Sequence, residues 1–233
     1  MKKILFVDSG SGGVNVLAHC TKNKLEGEYL YFADTLFAPY GNKSKEQLEQ
    51  RIDEILKSVK KFFDFDIVVF ACNTLTTSAI DFVRKKHNKT IFVGVVPATK
   101  PAFQKYKKED VLFMATRRTL DNLHLEGVEV KDLPKLVDDN LLTIENLEGY
   151  LKESLEKHKN KKAVVLGCTH YLAVKNIIQN ILPRAEIFDS NEGVKNRLKT
   201  FVGEGDNIVQ FVASKESDVG IISRYYQKLL NFF

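Results

Sequence analysis

The strongest constraint on the fold is an alternation of two kinds of segment along the chain. Short runs rich in β-branched and aromatic residues are followed by longer amphipathic stretches. This pattern is typical of βα units, in which helices cover a mostly parallel sheet. It predicts strands near residues 3–7, 29–32, 67–71, 91–95, 111–114, 163–166, 186–188 and 208–212. It predicts helices near residues 13–22, 44–63, 76–87, 99–106, 144–157, 171–180, 194–202 and 218–230. The sequence therefore indicates an α/β protein.

Two segments resemble each other, and each places a cysteine at the end of an apolar strand. Residues 66–74 read Asp-Ile-Val-Val-Phe-Ala-Cys-Asn-Thr, and residues 162–170 read Lys-Ala-Val-Val-Leu-Gly-Cys-Thr-His. A chain of 233 residues can form one large domain or two compact lobes, and the two segments look like equivalent positions in two similar lobes. Ligands in open α/β sheets bind beyond the carboxyl ends of the strands, so Cys72 and Cys168 are placed where sites form.

Composition limits the partners of the chain. The net charge is +5, but the lysines are scattered and no arginine-rich helix with interleaved aromatic residues occurs, which disfavours nucleic-acid binding. No apolar run reaches the roughly 18 residues of a membrane span, and the first apolar run is too short for a signal peptide. Three cysteines without an export signal indicate free thiols in a reducing cytoplasm. We therefore expect a cytoplasmic protein that binds neither nucleic acid nor membrane.

The loop after the first strand is a candidate binding turn. Residues 7–13 read Val-Asp-Ser-Gly-Ser-Gly-Gly, and the glycines allow a tight turn that presents N–H groups at a helix N-terminus. A dinucleotide fingerprint would need a further glycine where Asn15 stands, so phosphate binding is disfavoured. Asp8 would suit a substrate ammonium group or support a neighbouring thiol, and otherwise it caps the helix.

Other strand exits also carry polar residues. Tyr40 and Gly41 lie in the turn-rich loop 34–42, where a binding role and an ordinary loop are equally compatible with the spacing. Thr116 and Thr119 either cap the next helix or hold a carboxylate.

Two thiols at matching strand exits suggest proton transfer at a carbon atom. A single base returns a proton to the face from which it came, so inversion of a stereocentre favours one base on each face. One of Cys72 and Cys168 must then ionise while the other keeps its proton. His170 can share the proton of Cys168, whereas Cys20 lies inside the first helix and is expected either to serve packing or to lie on the surface. The cysteines lack the Cys-x-x-Cys spacing of a zinc site, and no phosphate cup with a lysine for pyridoxal is evident, so we expect neither a metal nor a cofactor.

These motifs resemble those of the glutamate racemase family, within the aspartate/glutamate racemase superfamily. The matching segments are residues 7–13, 31–35, 39–41, 71–74, 94–98 and 166–171. They follow the order of the family, and the pairing of Cys-Asn-Thr with Gly-Cys-Thr-His is highly specific.

The resemblance implies two α/β lobes of similar fold with the active site in the cleft between them. We place the first lobe at residues 1–95, completed by 190–233, and the second at 96–189. The implied activity is cofactor-independent interconversion of L-glutamate and D-glutamate, which supplies D-glutamate for peptidoglycan. Cys72 would take the proton from D-glutamate, and Cys168 would take it from L-glutamate.

The resemblance also implies roles for individual residues. The implied catalytic residues are Cys72, Cys168, Asp8, His170 and Asp138. The implied substrate-binding residues are Asp8, Ser9, Tyr40, Gly41, Asn73, Thr74, Thr116, Thr119, Thr169 and His170. In this reading Asp8 and Ser9 contact the substrate amine or support Cys72, and His170 assists Cys168.

Three features depart from the family pattern. Residues 131–138 stand where Val-Pro-Leu-Val-Glu is expected, so Asp138 replaces a glutamate. Phe37 stands where an arginine is common, and the stretch 120–133 is shorter than expected. These differences affect what the family pattern predicts for the lid, the side-chain pocket and the dimer interface. Whether the chain forms a homodimer is therefore left open.

Three alternatives remain at this point. One is a related racemase for aspartate or another small acid, which the pair Thr169 and His170 disfavours. A decarboxylase of the superfamily needs only one thiol, so the presence of both argues against it. The third is a non-catalytic binding protein on the same scaffold, against which the intact Cys72 and Cys168 argue.

Overall fold

A computed structural model describes residues 1–231 as an α/β protein built on two parallel sheets. The strands are β1 (Lys3–Asp8), β2 (Gly27–Ala33), β3 (Ile67–Phe70), β4 (Ile91–Gly94), β5 (Val111–Ala115), β6 (Ala163–Gly167), β7 (Glu186–Phe188) and β8 (Asn207–Ala213). The helices are α1 (Val14–Lys22), α2 (Lys45–Val59), α3 (Asn73–Lys86), α4 (Thr99–Lys105), α5 (Arg117–Asn122), α6 (Leu133–Asp139), α7 (Glu148–Leu155), α8 (His170–Ala173), α9 (Lys175–Ile181), α10 (Asn191–Lys199) and α11 (Val219–Asn231). Short 3-10 segments lie at Tyr40–Asn42, Lys108–Asp110, Ile144–Leu147, Glu156–His158 and Glu216–Asp218.

The larger sheet has the strand order β4-β3-β1-β2-β8, and every neighbouring pair is parallel. The chain runs from β1 to β2 on one side and then crosses to β3 on the other, so the strand order reverses at β1. Ligands of open α/β sheets bind at such a reversal, beyond the carboxyl ends of the strands. Asp8 ends β1 and Cys72 follows β3, so both lie at this position.

The smaller sheet has the order β5-β6-β7 and is also parallel. Ala115 pairs with Gly167 at the ends of β5 and β6, so the two strands finish at the same level. Thr116 and Cys168 directly follow these residues and leave the sheet at one edge.

One apolar cluster joins the two sheets. It includes Tyr31 from the larger sheet, Met114 and Leu166 from the smaller one, and Tyr225 from α11. The strands β3, β5 and β6 are buried at every position, as expected for parallel strands covered on both faces. The strand exits that carry the polar residues are therefore held by a continuous core.

The prediction of an α/β fold is confirmed, and each predicted strand lies within two residues of an observed one. The sequence did not indicate α6, because seven residues are too few for helical periodicity to be visible. Pro134 in its first turn and the left-handed backbone of Asp132 before it mark where this helix begins. The helix predicted at 171–180 is divided at Val174 into α8 and α9.

Helix α3 begins three residues earlier than predicted, because the polar residues Asn73, Thr74 and Thr76 in its first turn are nevertheless buried. The proposed lobe limits, 1–95 with 190–233 and 96–189, stay a prediction. Among the helices of residues 1–231, none combines the length and hydropathy needed to span a bilayer.

Candidate active site

Cys72 stands between β3 and α3, with extended backbone at the residue before the first helical turn. Its side chain is buried, and the backbone N–H groups of Thr74 and Leu75 at the start of α3 act to lower the pKa of its thiol. Burial raises the pKa of the Cys72 thiol well above its usual range, the Asp8 carboxylate raises it further, and the two N–H groups offset part of this rise. The charge of Cys168 also raises it, so the two sulfurs lie within electrostatic range of each other.

Asp8 links the ends of the two sheets. It is fully buried, and one carboxylate oxygen accepts a hydrogen bond from the N–H of Gly10 at 2.7 Å. The other oxygen accepts from the hydroxyl of Thr169, in the smaller-sheet part of the chain, at 3.1 Å. Burial raises the pKa of Asp8 to about 6, although the positive charge of His170 and the hydrogen bonds lower it. The acid is therefore held in place but remains poorly solvated.

The second cysteine lies beside a histidine that is paired with an acid. The sulfur of Cys168 is 4.0 Å from Nδ1 of His170, and Nε2 of His170 is 3.2 Å from both carboxylate oxygens of Asp138. The N–H of Ser11 donates to Asp138 at 3.1 Å, and its hydroxyl donates to the same oxygen.

Charge and burial compete at this histidine–acid pair. Burial lowers the pKa of His170, but the charge and hydrogen bond of Asp138 outweigh it, so the pKa lies well above its usual range. Burial raises the pKa of Asp138, whereas His170 and the hydrogen bonds from Ser11 lower it, and the lowering is larger. The pairing therefore favours the cationic form of His170 and the anionic form of Asp138.

Hydroxyl groups from both parts of the chain meet near Cys72. The hydroxyl of Thr74 on α3 lies 2.9 Å from that of Thr116 and 3.3 Å from that of Thr119. Thr116 also caps α5, because its hydroxyl accepts from the N–H of Thr119 at 3.3 Å. The capping role and a binding role are thus compatible. Gly41 lies against this cluster, since a Cβ placed there would be 3.6 Å from Cβ of Thr116.

Asn73 has a buried amide that lacks a hydrogen-bond partner within residues 1–231. Its side chain is 2% exposed, and neither the oxygen nor the nitrogen makes a hydrogen bond with any other group in residues 1–231. Burying an amide in this way costs free energy unless a ligand or water satisfies it. The amide is therefore a candidate ligand contact.

Tyr40 is oriented differently from what a substrate-binding hydroxyl would require. Its hydroxyl donates to Asp34 at 2.9 Å, inside the core. The guanidinium of Arg51 on α2 donates to both oxygens of the same carboxylate, at 2.8 and 2.5 Å. Phe37, in the same loop, packs its ring edge against Tyr40 and lies 5.5 Å from the Arg51 guanidinium carbon.

The glycine loop packs closely against the residues that follow β6 and against Asp138. A Cβ on Gly12 would lie 2.6 Å from the backbone nitrogen of His170 and 2.7 Å from the hydroxyl of Thr169. A Cβ on Gly10 would lie 2.6 Å from a carboxylate oxygen of Asp138. A side chain at either position would push these groups apart.

The structure gathers most of the residues that the sequence pointed to. The buried members of the cluster are Asp8, Ser9, Tyr40, Cys72, Asn73, Thr74, Thr119, Cys168, Thr169 and His170. Cys20 is buried inside α1, and burial raises its pKa to about 12, as expected for a packing thiol. Sequence reasoning missed Ser11 and Arg51. Ser11 stood inside the recognised glycine loop, while Arg51 carried no local signal.

The relatives found by sequence comparison are glutamate racemases. No family model matches the chain. Glutamate racemase of Clostridium acetobutylicum is 31% identical over 208 residues, which cover 83% of this chain and 81% of that protein. Glutamate racemase of Clostridium kluyveri is 32% identical over 237 residues, with 95% and 90% covered.

Solved structures agree in fold. A glutamate racemase isoform of Bacillus anthracis superposes with a TM-score of 0.84 at 20% identity, covering 97% of this chain and 94% of that one. Escherichia coli glutamate racemase, in complex with L-glutamate and the activator UDP-MurNAc-Ala, gives 0.77 at 25% identity, covering 96% and 95%. The Francisella tularensis glutamate racemase, in complex with D-glutamate, gives 0.77 at 20% identity, covering 98% and 93%.

The raised pKa of Asp8 predicts a pH-dependent cost to stability. Between about pH 4 and pH 6 the folded protein retains a proton that the unfolded chain has lost, so the free energy of unfolding falls as the pH rises. Asp8→Asn lacks this titration. We expect its stability relative to the unsubstituted protein to increase by about 2 kcal/mol from pH 4 to pH 7. Urea unfolding of both proteins at unit pH steps measures this difference.

The matched control is Asp64→Asn. Asp64 is exposed, and Lys60 lowers its pKa, so it is ionised in both states above pH 5. Its stability difference should not change between pH 5 and pH 7. A pH-independent difference for Asp8→Asn would contradict the prediction.

Proposed function

The chain belongs to the glutamate racemase family, and on that premise we propose that it interconverts L- and D-glutamate with Cys72 and Cys168 as its two acid/base groups. Membership of the family makes it an amino-acid racemase. The observation that carries the two-thiol mechanism is the pair of buried cysteines at equivalent strand exits, one beside Asp8 and the other beside His170.

The two thiols have opposite surroundings, which suits opposite roles. Burial and the Asp8 carboxylate keep the proton on Cys72, so in this form Cys72 is the donor. Cys168 faces His170, which carries a positive charge and can compensate a thiolate. In this proposal, Cys72 supplies the proton on one face of the substrate and Cys168 takes it up on the other.

The reaction follows from this arrangement. The Cys168 thiolate takes the proton from Cα of L-glutamate, and the electron pair of the broken C–H bond remains at Cα. That electron pair then forms a new C–H bond with the proton of the Cys72 thiol on the opposite face, which gives D-glutamate. Cys168 ends as a thiol and Cys72 as a thiolate, and the reverse reaction starts from this second form.

Substrate binding is assigned to the polar groups around the thiols. The amide of Asn73 and the hydroxyls of Thr74, Thr116 and Thr119 can hold a carboxylate, because the amide lacks a partner within residues 1–231 and the hydroxyls can turn to donate. Asp8 supplies negative charge for the substrate ammonium group.

The remaining binding residues support this arrangement. Thr169 holds Asp8 through its hydroxyl, and Ser9 follows Asp8 directly in the chain. Because the Tyr40 hydroxyl bonds Asp34, we assign Tyr40 to holding Gly41 in place and not to direct contact with substrate.

The wider role follows from the product. We propose that the D-glutamate formed supplies peptidoglycan and that the enzyme acts in the cytoplasm.

We also propose a homodimer, and light scattering of the purified protein measures its mass. A mass equal to that of a single chain would contradict the dimer without affecting the catalytic proposal.

Incubation with amino acids in D₂O, without added cofactor and with a chelator present, tests the activity. We expect L-glutamate to invert and to gain one deuterium at Cα, with L-aspartate at least about ten-fold slower because one methylene is missing from the bound side chain. Optical rotation and proton NMR follow the two events. Faster turnover of aspartate would indicate the related racemase, and inversion of neither would indicate a binding protein.

Single replacements of the thiols test the mechanism. Cys72→Ser and Cys168→Ser should each lower racemisation by about a hundred-fold or more, since a serine hydroxyl supplies almost no anionic base near neutral pH. Both variants should still bind glutamate in calorimetry, because binding rests on polar groups other than sulfur.

Cys20→Ser is the matched control, since Cys20 is buried in α1, and its activity should stay close to that of the unsubstituted protein. An inactive Cys20 variant beside an active Cys168 variant would refute the assignment. Loss of binding in both active-site variants would show that the cysteines shape the pocket.

A further inference from the structure

Ser11 makes a contact that the proposed mechanism does not use. It lies in the glycine loop between β1 and α1 and is 2% exposed. Both its N–H and its hydroxyl donate to the same carboxylate oxygen of Asp138, which lies 127 residues away at the end of α6. The loop thus forms hydrogen bonds with an acid from a distant part of the sequence.

The surroundings leave the Asp138 carboxylate little freedom. On the loop side it approaches so closely that a Cβ on Gly10 would lie 2.6 Å from Oδ2. On the other side both oxygens are 3.2 Å from Nε2 of His170. Ser11 is therefore the donor that holds the carboxylate between the glycine loop and the imidazole.

We propose that Ser11 is a positioning residue that fixes the short Asp138 side chain against His170. Together, Ser11 and Asp138 take the role of a single longer acid. This inference rests on the proposed function, in which His170 assists Cys168. An aspartate reaches roughly 1.5 Å less far than a glutamate, estimated from one carbon–carbon bond. A hydroxyl bond to the carboxylate holds the shorter acid where it meets the imidazole.

The pKa of His170 reports on the contact between Ser11 and Asp138, because the charges around the imidazole set this pKa. The charged groups that act on this imidazole are Asp138 from α6, Asp8 from β1 and the sulfur of Cys168. Burial lowers the pKa of His170 and Asp138 restores it, so the pKa depends on how firmly the carboxylate is held. Loosening the carboxylate should lower the pKa of His170.

Ser11→Ala removes the hydroxyl and keeps the backbone N–H. We expect the pKa of His170 to fall in a substrate-free NMR titration of the imidazole nitrogens. We expect kcat for glutamate to fall about ten-fold or more, the range expected for a lost hydrogen bond to a charged group. KM should change little, because Ser11 bonds Asp138 and the assigned binding groups are other residues.

A longer acid should remove the need for Ser11. Adding Asp138→Glu to Ser11→Ala should recover most of the lost kcat and raise the pKa of His170 again. In the background of Asp138→Asn, Ser11→Ala should change kcat by less than about two-fold, the usual limit for sites that do not interact. Asp138→Asn alone should lower the pKa of His170 at least as far as Ser11→Ala does.

Thr21→Val is the matched control, because Thr21 is also a buried hydroxyl, in α1, and it bonds Tyr226 at 2.8 Å. It should leave the pKa of His170 and kcat unchanged, and thermal unfolding of each variant verifies the fold. The inference is overturned if Ser11→Ala leaves both quantities unchanged, or if its effect is equally large without the Asp138 carboxylate. If the unsubstituted protein does not exchange the Cα proton, the proposed function fails, while the His170 titration still decides whether Ser11 positions Asp138.

Discussion

The close approach of the glycine loop to the end of the smaller sheet is the contact on which the site depends. Gly12 lies against the backbone of His170 with no room for a Cβ. The loop is fixed from behind, because the carbonyl of Gly10 accepts from Tyr31 at 2.8 Å and that of Gly12 accepts from Asn15 at 3.1 Å. With the loop in this position, Asp8 at the end of β1 accepts a hydrogen bond from the hydroxyl of Thr169 on the other side. Glycine is needed here for the space it leaves and not for an unusual backbone angle, since no glycine in residues 1–231 has a positive φ.

The contact gives two structurally similar cysteines different neighbours. An acid lies beside one of them and a cation beside the other. Cys72 meets the buried carboxylate of Asp8, which disfavours a second negative charge. Cys168 meets His170, whose positive charge is maintained by Asp138. A repeated strand–cysteine–helix unit would by itself be symmetric, so the neighbours and not the repeat distinguish the two thiols. Environments that separate the protonation of two like groups are how acid and base roles are assigned in enzymes.

Sequence patterns were sufficient for the strands and for the positions of the thiols, because both depend on local features. A buried parallel strand is a continuous apolar run, and the residue after it leaves the sheet at the ligand-binding edge. The resemblance to the family added Asp138, whose carboxylate lies 3.2 Å from Nε2 of His170, and its catalytic role stays a prediction. The local pattern could not show that Ser11 bonds this acid or that Tyr40 turns into the core. Such contacts join segments that are distant in sequence or packed around a side chain, and no periodicity records them.

The orientation of Tyr40 follows from the requirements of Asp34. A carboxylate with no exposed surface is costly unless its oxygens are paired. Arg51 pairs with both oxygens, and the Tyr40 hydroxyl adds a third hydrogen bond. These bonds draw the start of the 3-10 segment Tyr40–Asn42 into the core, and the next residue, Gly41, then lies against Thr116. The ion pair between Asp34, in the loop after β2, and Arg51 on α2 thus helps to fix how the loop meets the threonine cluster, with the Tyr40 hydroxyl turned into the core.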